Sequence, residues 1–190
     1  MKKGMESFFT LVESLEKLPS IGRKSALRLG YFLAIEEKFS ALKLAHAIEE
    51  AVVKIKRCER CGALSEHELC EICSDETRLN GQLCIVTHPK DIFILEESKH
   101  FEGRYFVIDS LEDCDFTLLR SLIVSLKITE VIFAFSPSLS NDSIIFYVED
   151  KLQDLGVSFS KIAQGVPTGV SLENIDQLSL TRAFDSRIKL

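Results

Sequence analysis

The sequence predicts a multi-module α/β protein with a helical N-terminal region, a small four-cysteine module, a parallel-sheet α/β domain and a helical C-terminal tail. Three observations support this fold class. Apolar residues recur at helical spacing over the first 57 residues, four cysteines fall within sixteen residues, and β-rich runs alternate with helical stretches after residue 80. At 190 residues and 46% hydrophobic content, the chain can bury a sizeable core without help from a metal.

Three helices are expected in residues 1–57. The first spans residues 5–17 and ends before Pro19, the second opens near Arg23 and runs to about Leu33, and the third covers residues 41–57. Amphipathic spacing supports the first and third helices. The apolar residues of the first are Phe8, Leu11, Val12 and Leu15, and those of the third are Leu44, Ile48, Ala51, Val52 and Ile55.

Four short apolar runs after the cysteines are predicted to be strands, at residues 83–87, 105–108, 131–135 and 157–162. Helices are expected between them, beginning at Asp91 and covering residues 116–126 and 143–155. This alternation favours a mostly parallel sheet covered on both faces. The predicted organisation is therefore a helical hairpin region, a cysteine module, an α/β domain and a C-terminal segment, at residues 1–57, 58–79, 80–164 and 165–190.

Charge is distributed unevenly along the chain. Residues 1–57 carry eleven Lys/Arg against seven Asp/Glu, a net of +4, whereas residues 58–190 carry twelve against twenty-two, a net of −10. A basic N-terminal region followed by an acidic remainder suits a protein that contacts phosphates through the first region and protein partners through the second. Solvated helix faces with a chance imbalance are the alternative. No apolar run approaches the length of a membrane span, so no membrane partner is expected.

The cysteines form two pairs, Cys58-x-x-Cys61 and Cys70-x-x-Cys73, whose spacing suits one tetrahedral Zn²⁺ per chain. Four thiolates leave no position for a water molecule, which predicts a structural metal and not a catalytic one. Gly62, just after the first pair, can relax the backbone so that its amides turn toward sulfur.

Other uses of the cysteines remain open. Disulfides would need an oxidising compartment, but the first residues, Met-Lys-Lys-Gly-Met-Glu, lack the apolar core of a signal peptide. We therefore expect a cytoplasmic protein with reduced thiols, which leaves redox chemistry or an iron–sulfur cluster as the competing interpretations. Cys84 and Cys114 are most simply buried or incidental free thiols.

A hairpin links the first two helices, through residues 18–26. Pro19 ends the first helix, and Gly22 is expected to supply a residue that tolerates positive φ in the turn. The amides that begin the second helix would then face an anion, with Arg23, Lys24 and Arg28 adding charge beside the same phosphate. The pattern resembles a helix-hairpin-helix, which binds the DNA backbone without reading sequence. A simple helix connector would look similar.

The order of hairpin, four-cysteine module and α/β body closely resembles the RecR family of bacterial recombination mediators. The resemblance extends over almost the whole chain and includes Gly165-Val-Pro-Thr-Gly-Val-Ser-Leu-Glu-Asn-Ile-Asp176, which is similar to the family's Gly-Val-Pro-x-Gly-x-x-Leu-Glu-x-x-Asp element. Without the family, this segment indicates a turn followed by a helix that packs or pairs with another subunit. It is not a P-loop, because no Lys-Ser/Thr follows the glycines.

The resemblance implies a helix-hairpin-helix, a zinc finger, a Toprim domain and a C-terminal tail, assembled into a ring-like homotetramer associated with the nucleoid. It further implies that the protein helps RecO and RecF bring RecA to gapped or single-stranded DNA during recombinational repair.

The α/β body departs from a catalytic Toprim fold. Such a fold holds Mg²⁺ with carboxylates after its first strand and after a later one. Here Thr87 and His88 follow the first strand, and Ser136-Pro137-Ser138 follows the later one. No catalytic residue is therefore predicted, and no cofactor besides zinc. Asp91, Glu96, Glu97, Asp109 and Asp142 are acids left in this region, best explained as helix caps and surface residues.

Three classes of function remain. The first is a non-catalytic DNA-binding mediator, favoured by the motifs together. The second is a Mg²⁺-dependent nuclease or primase-like enzyme, which the missing carboxylates count against. The third is a zinc-ordered protein adaptor without DNA contact, which the basic hairpin counts against.

Overall fold

A computed structural model describes residues 3–136, 138–163, 166 and 169–185. The chain divides into two compact units, Met1–Ile55 and Lys56–Leu190, called here the helical unit and the α/β unit. The multi-module α/β prediction is confirmed, with a helical N-terminus, a cysteine module and a four-stranded parallel sheet. Within the described ranges, no helix is long and apolar enough to cross a membrane.

The helical unit contains three α-helices, α1 (Glu6–Glu16), α2 (Arg23–Tyr31) and α3 (Lys38–Lys54), with a π-helical turn at Phe32–Glu36 before α3. Helices α1 and α2 approach closely because small residues of α2 face α1. Ala26 and Val12 are fully buried, and a Cβ built on Gly30 would lie 2.9 Å from Val12 Cγ2.

Two details of the helical unit differ from the sequence prediction. The second α-helix ends at Tyr31, before the predicted end near Leu33. The following residues form a π-turn, in which Glu37 N donates to Phe32 O, five residues earlier and 2.8 Å away. Helix α3 begins at Lys38 and none of its residues is buried in the single chain. Its predicted apolar face is exposed, as at Ile48 and Val52.

The α/β unit opens with a small antiparallel pair, β1 (Lys56–Arg57) and β2 (Leu64–Ser65), and a single helical turn, α4 (Glu71–Ser74). The main sheet is built from β3 (Gln82–Val86), β4 (Arg104–Val107), β5 (Glu130–Phe133) and β6 (Ser158–Lys161). Its helices are α5 (Pro89–Glu97), α6 (Phe116–Ser125), α7 (Leu139–Leu152) and α8 (Gln177–Asp185). Short 3₁₀ turns lie at Glu76–Arg78, Gln153–Leu155 and Leu172–Asn174.

All neighbours in the main sheet pair in parallel, in the order β4-β3-β5-β6. Strand residues alternate between two cores because side chains alternate across a sheet. On one side, Ile85, Phe106 and Phe133 pack with residues of α6 and α7. On the other side, Cys84 and Tyr105 belong to a second core.

The second core also contains the four paired cysteines, Cys58, Cys61, Cys70 and Cys73, together with Ile92 of α5. The cysteine module therefore shares its hydrophobic core with β3, β4 and α5. The finer boundaries predicted at residues 79 and 164 stay predictions.

Candidate functional site

The four paired cysteines form a compact, buried sulfur cluster. The Sγ atoms of Cys58, Cys61, Cys70 and Cys73 all lie within 4.8 Å of one another. Cys61 Sγ lies 3.6 Å from Cys70 Sγ, close to the separation of about 3.8 Å that tetrahedral Zn–S bonds of about 2.3 Å require. A disulfide needs about 2.05 Å, and all six cysteines are free thiols. The cluster fits one Zn²⁺.

The first cysteine pair is held in a tight turn between β1 and β2. Cys58 N donates to Ala63 O over 2.7 Å, and Gly62 adopts φ +76° between them. A Cβ at Gly62 would also lie 3.2 Å from Val107 Cβ. Glycine is therefore favoured here both by the backbone conformation and by the close approach of β4.

The second pair is carried by α4, whose N-cap is Cys70. Backbone amides point at three of the sulfurs: Cys73 N lies 3.4 Å from Cys70 Sγ, Cys70 N 3.3 Å from Cys58 Sγ, and Ala63 N 3.5 Å from Cys61 Sγ. Such amides stabilise negative charge on sulfur and support metal binding by thiolates.

Hydrogen bonds between the sulfurs separate the thiol pKa values in the metal-free cluster. Hydrogen bonds from Cys61 and Cys73 lower the pKa of Cys70 below its ordinary value. The hydrogen bond that Cys61 makes to Cys70 raises the pKa of Cys61. Zinc must therefore displace protons from the remaining thiols when it binds.

Neither of the two other cysteines joins this group. Cys84 is buried in β3, and burial raises its pKa to about 12. Cys114 is half-buried, with a pKa raised to about 11, first by burial. His67 lies in the zinc loop but is exposed and outside the sulfur group. Cys84 and Cys114 are therefore packing residues, and His67 is a surface residue.

The hairpin of the helical unit leads into α2, which carries exposed cations. Arg23, Lys24 and Arg28 are all exposed, and Lys24 and Arg28 share a helix face at i and i+4. Arg23 is partly neutralised, because its Nη1 lies 2.9 Å from Glu16 Oε2. Lys24 and Arg28 therefore carry the basic character of this face.

The expectation of positive φ at Gly22 is wrong. Gly22 is the N-cap of α2 with φ −87° and ψ 169°, an extended conformation that any residue can adopt. The left-handed residue is Ser20, at φ +64°, directly after Pro19. The left-handed residue of the turn therefore lies two positions earlier than predicted. Gly22 has the extended backbone typical of an N-cap.

The acids of the α/β unit lie in separate places. Asp109 Oδ2 accepts from Arg57 Nη2 over 2.7 Å, with His88 Nδ1 3.7 Å from its other oxygen. Asp91 lines a cavity of about 410 Å³ between α5 and α8, and Asp142 lies in the first turn of α7. In the ranges described, the four cysteines are the one group of three or more potential metal ligands.

The strand ends carry no acid at the two positions expected of a catalytic Toprim fold. Thr87 follows β3 and Ser136 lies three residues after β5, in the wall of the same cavity as Asp91. Pro137 lies outside the described residues.

The distinctive late segment is described in part. Gly165, Pro167 and Thr168 lie outside the described residues, while Gly169 adopts φ +83°. Asp176 Oδ1 accepts from Ser179 N over 2.9 Å, which caps α8. Hydrogen bonds from the side chain and then the backbone of Ser179 lower the pKa of Asp176. The final aspartate of the motif therefore begins the C-terminal helix.

Sequence reasoning missed two arginines that join the cysteine module to the sheet. Arg78 makes a bidentate pair with Glu96, with both N–O distances 2.7 Å, and Tyr105 Oη donates to the same carboxylate. Arg104 is 3% exposed and donates to Ile72 O and Asp75 O. The one available signal was an arginine at the head of the apolar run Tyr105–Ile108.

Comparison with known proteins gives two matching family models. Residues 9–52 match the model of the RecR helix-hairpin-helix, and residues 55–75 match the model of the RecR four-cysteine zinc finger domain. The second range contains all four clustered cysteines.

Curated proteins similar to the chain cover nearly its whole length. Recombination protein RecR of Helicobacter pylori strain Shi470 is 55% identical over 188 residues, which is 99% of this chain and 97% of that protein. The protein of the same name from Helicobacter pylori strain P12 is 54% identical over 188 residues, with the same coverage. That from Campylobacter jejuni subsp. doylei is 53% identical over 190 residues and covers both chains completely.

Proposed function

Because the chain belongs to the RecR family of recombination proteins, with a role in recombinational repair, we propose that it acts there as a non-catalytic, DNA-binding mediator. The observation that carries this proposal is the exposed basic face of α2. Lys24 lies in the first turn, beside the backbone amides of the helix N-terminus, and Arg28 lies one turn further along the same face, in the last turn of the helix. Those amides and cations together suit a phosphate group, and no base-reading element is needed.

DNA binding by one chain is expected to be weak. Lys24 and Arg28 can neutralise few phosphates, and Arg23 is shared with Glu16. Each further copy of the chain would add another such face to the same DNA, which raises the overall affinity steeply. A gapped or single-strand/double-strand junction is the proposed DNA target, bound without sequence preference.

Assembly into a homo-oligomer, a tetramer by the family resemblance, is supported by the apolar face of α3. Ile48 and Val52 are 55% and 78% exposed although they belong to one helix face. We expect Ile48→Lys with Val52→Lys to lower the oligomeric state measured by sedimentation velocity. An unchanged sedimentation coefficient would place the subunit contact elsewhere.

The α/β unit is proposed to be a Toprim-like binding platform. Asp91, Asp109 and Asp142 do not group into a potential metal site, which is consistent with a non-catalytic role. Its net negative charge suits a basic protein partner, proposed to be RecO or RecF delivering RecA to DNA in the cytoplasm.

One experiment separates the three functional classes. A fluorescently labelled gapped duplex is titrated with the protein, with and without Mg²⁺, and binding is followed by anisotropy and cleavage on a denaturing gel. Wild-type protein is expected to bind the DNA without cleaving it. The double variant Lys24→Glu with Arg28→Glu is expected to lose binding while its circular dichroism spectrum stays unchanged.

The matched control is Lys90→Glu with Lys127→Glu, which alters the net charge equally at exposed lysines of the α/β unit. It should retain wild-type affinity. If the hairpin variant binds like wild type, the hairpin is only a connector. Mg²⁺-dependent cleavage would favour the enzyme instead.

A further inference from the structure

Arg104 is the one charged residue whose whole side chain is buried among the residues described. A buried guanidinium is costly unless other groups balance its charge. None of the ion pairs found in the described part of the chain includes Arg104. Its Nε is buried without a hydrogen-bond partner. The Asp75 carboxylate is near enough to interact with Arg104, but it is exposed to solvent and forms no ion pair with it, so it balances the buried charge only in part.

The hydrogen bonds of Arg104 lead to the zinc finger. Nη1 donates to Ile72 O, which lies between Cys70 and Cys73, and Nη2 donates to Asp75 O over 2.6 Å. Ile72 lies within α4, the helical turn that carries Cys73, and Asp75 is the residue directly after it. A planar guanidinium can hold two such carbonyls at a fixed separation, which a lysine ammonium cannot do in the same way.

A zinc-bound finger would add further negative charge. One Zn²⁺ with four thiolates has a formal charge of −2, and the four sulfurs are buried. Arg60 adds a second positive charge at the finger, because its Nη1 donates to Cys73 O over 2.9 Å. Arg60 is only partly buried, so solvent screens its charge more than that of Arg104.

We propose that Arg104 is a positioning residue of the zinc centre. Its guanidinium fixes the Ile72 and Asp75 carbonyls around the second cysteine pair and balances the negative charge of the zinc–thiolate group. These two hydrogen bonds hold the turn that carries Cys73 in the arrangement that places all four Sγ atoms within 4.8 Å of one another. Arg104 therefore favours the arrangement that binds zinc.

The test measures zinc affinity by competition with a chromophoric chelator in full-length protein. Arg104→Met should bind zinc about tenfold to hundredfold more weakly, the usual range for a group that supports metal ligands. Arg104→Lys, which keeps the charge but loses the planar fork, should fall between Arg104→Met and wild type. Co²⁺-substituted variants should keep the sulfur-to-metal charge-transfer bands of a four-thiolate site.

The matched control is Arg78→Met, at the same junction. Arg78 is balanced by Glu96, so this variant should lose thermal stability while its zinc affinity changes by well under tenfold. A second readout is the fall in melting temperature when zinc is chelated, which should be smaller for Arg104→Met than for wild type because the arginine and the metal stabilise each other.

Wild-type zinc affinity in both Arg104 variants would overturn the proposal. So would equal losses in Arg104→Met and Arg78→Met, since a general loosening of the fold would then explain both. If Arg104→Met does not fold, Arg104→Lys decides: reduced affinity supports the proposal, and unchanged affinity overturns it.

Discussion

The backbone amide of Val107 donates to the carbonyl of Cys61 across 2.9 Å, which bonds the edge strand of the main sheet directly to a zinc-binding turn. Arg57 strengthens the same junction by donating to Gly62 O and to Asp109. The metal site is therefore continuous with one face of the sheet. The opposite face is packed by α6 and α7 and contains none of the zinc-binding cysteines.

This asymmetry predicts a local response to loss of the metal. Cys70→Ser should abolish the single equivalent of zinc, because three thiolates coordinate the ion incompletely. Hydrogen exchange should then quicken in α4 and β4, while Val131 and Phe133, in the core beneath α6 and α7, keep their protection.

Cys114→Ser is the control for this variant, since Cys114 lies outside the sulfur group and should retain full zinc content by elemental analysis. One bound zinc per chain in Cys70→Ser would contradict the predicted ligand set.

Much of the fold follows from local sequence signals. The strands are found within one or two residues of their predicted positions because apolar runs such as Val131–Phe135 have to be buried between two helical layers. The zinc ligands are equally accessible to sequence reasoning, since they lie within sixteen residues and their spacing alone implies tetrahedral coordination.

Features that depend on tertiary contacts were not accessible. Arg78 and Glu96 meet across 18 positions, and nothing in either sequence neighbourhood indicates the other. The hairpin shows the limit of residue propensity: glycine is favoured at positive φ, yet the structure uses Ser20 there and leaves Gly22 extended. The apolar face of α3 was predicted, but its exposure in the single chain was not.

The basic face of α2 predicts the salt dependence of DNA binding. Lys24→Gln removes one phosphate contact, so the slope of log affinity against log salt concentration should decrease in magnitude by about 0.7 to 0.9. Affinity should fall equally on DNA of different sequence, because the contact is made to the backbone. Anisotropy titrations over a salt series measure both effects, and a slope equal to that of wild type would exclude Lys24 from the contact.

The close approach of α1 and α2 predicts that Gly30 tolerates no side chain. Alanine would gain about 1 kcal/mol in helix propensity, but overpacking a stiff β-branched neighbour costs about 1–3 kcal/mol. With only 2.9 Å to Val12 Cγ2, we expect Gly30→Ala to lower the free energy of unfolding, measured by urea denaturation.

Adding Val12→Ala makes room for the new methyl group. The double variant should therefore be less destabilised than the sum of the two single variants. Strict additivity would show that the helices separate freely at this point.

The Arg78–Glu96 pair predicts acid sensitivity of the α/β unit. Burial raises the pKa of Glu96, but hydrogen bonds from Arg78 and Tyr105 outweigh it and hold the pKa below its ordinary value of 4.5. A carboxyl whose pKa is lower in the folded state stabilises the fold above its unfolded-state pKa. That stabilisation is lost as the pH falls through the folded-state value.

Glu96→Gln should therefore be less stable than wild type at neutral pH, with a difference in melting temperature that shrinks as the pH falls below about 4.5. Melting is followed by circular dichroism with excess zinc, so that loss of the metal affects both proteins equally. Glu97→Gln, an exposed change on the same helix, is the control and should follow the wild-type pH profile. A Glu96→Gln difference that persists unchanged into acid would show that the pair stabilises the fold through packing, because protonation of the wild-type carboxyl would then remove nothing.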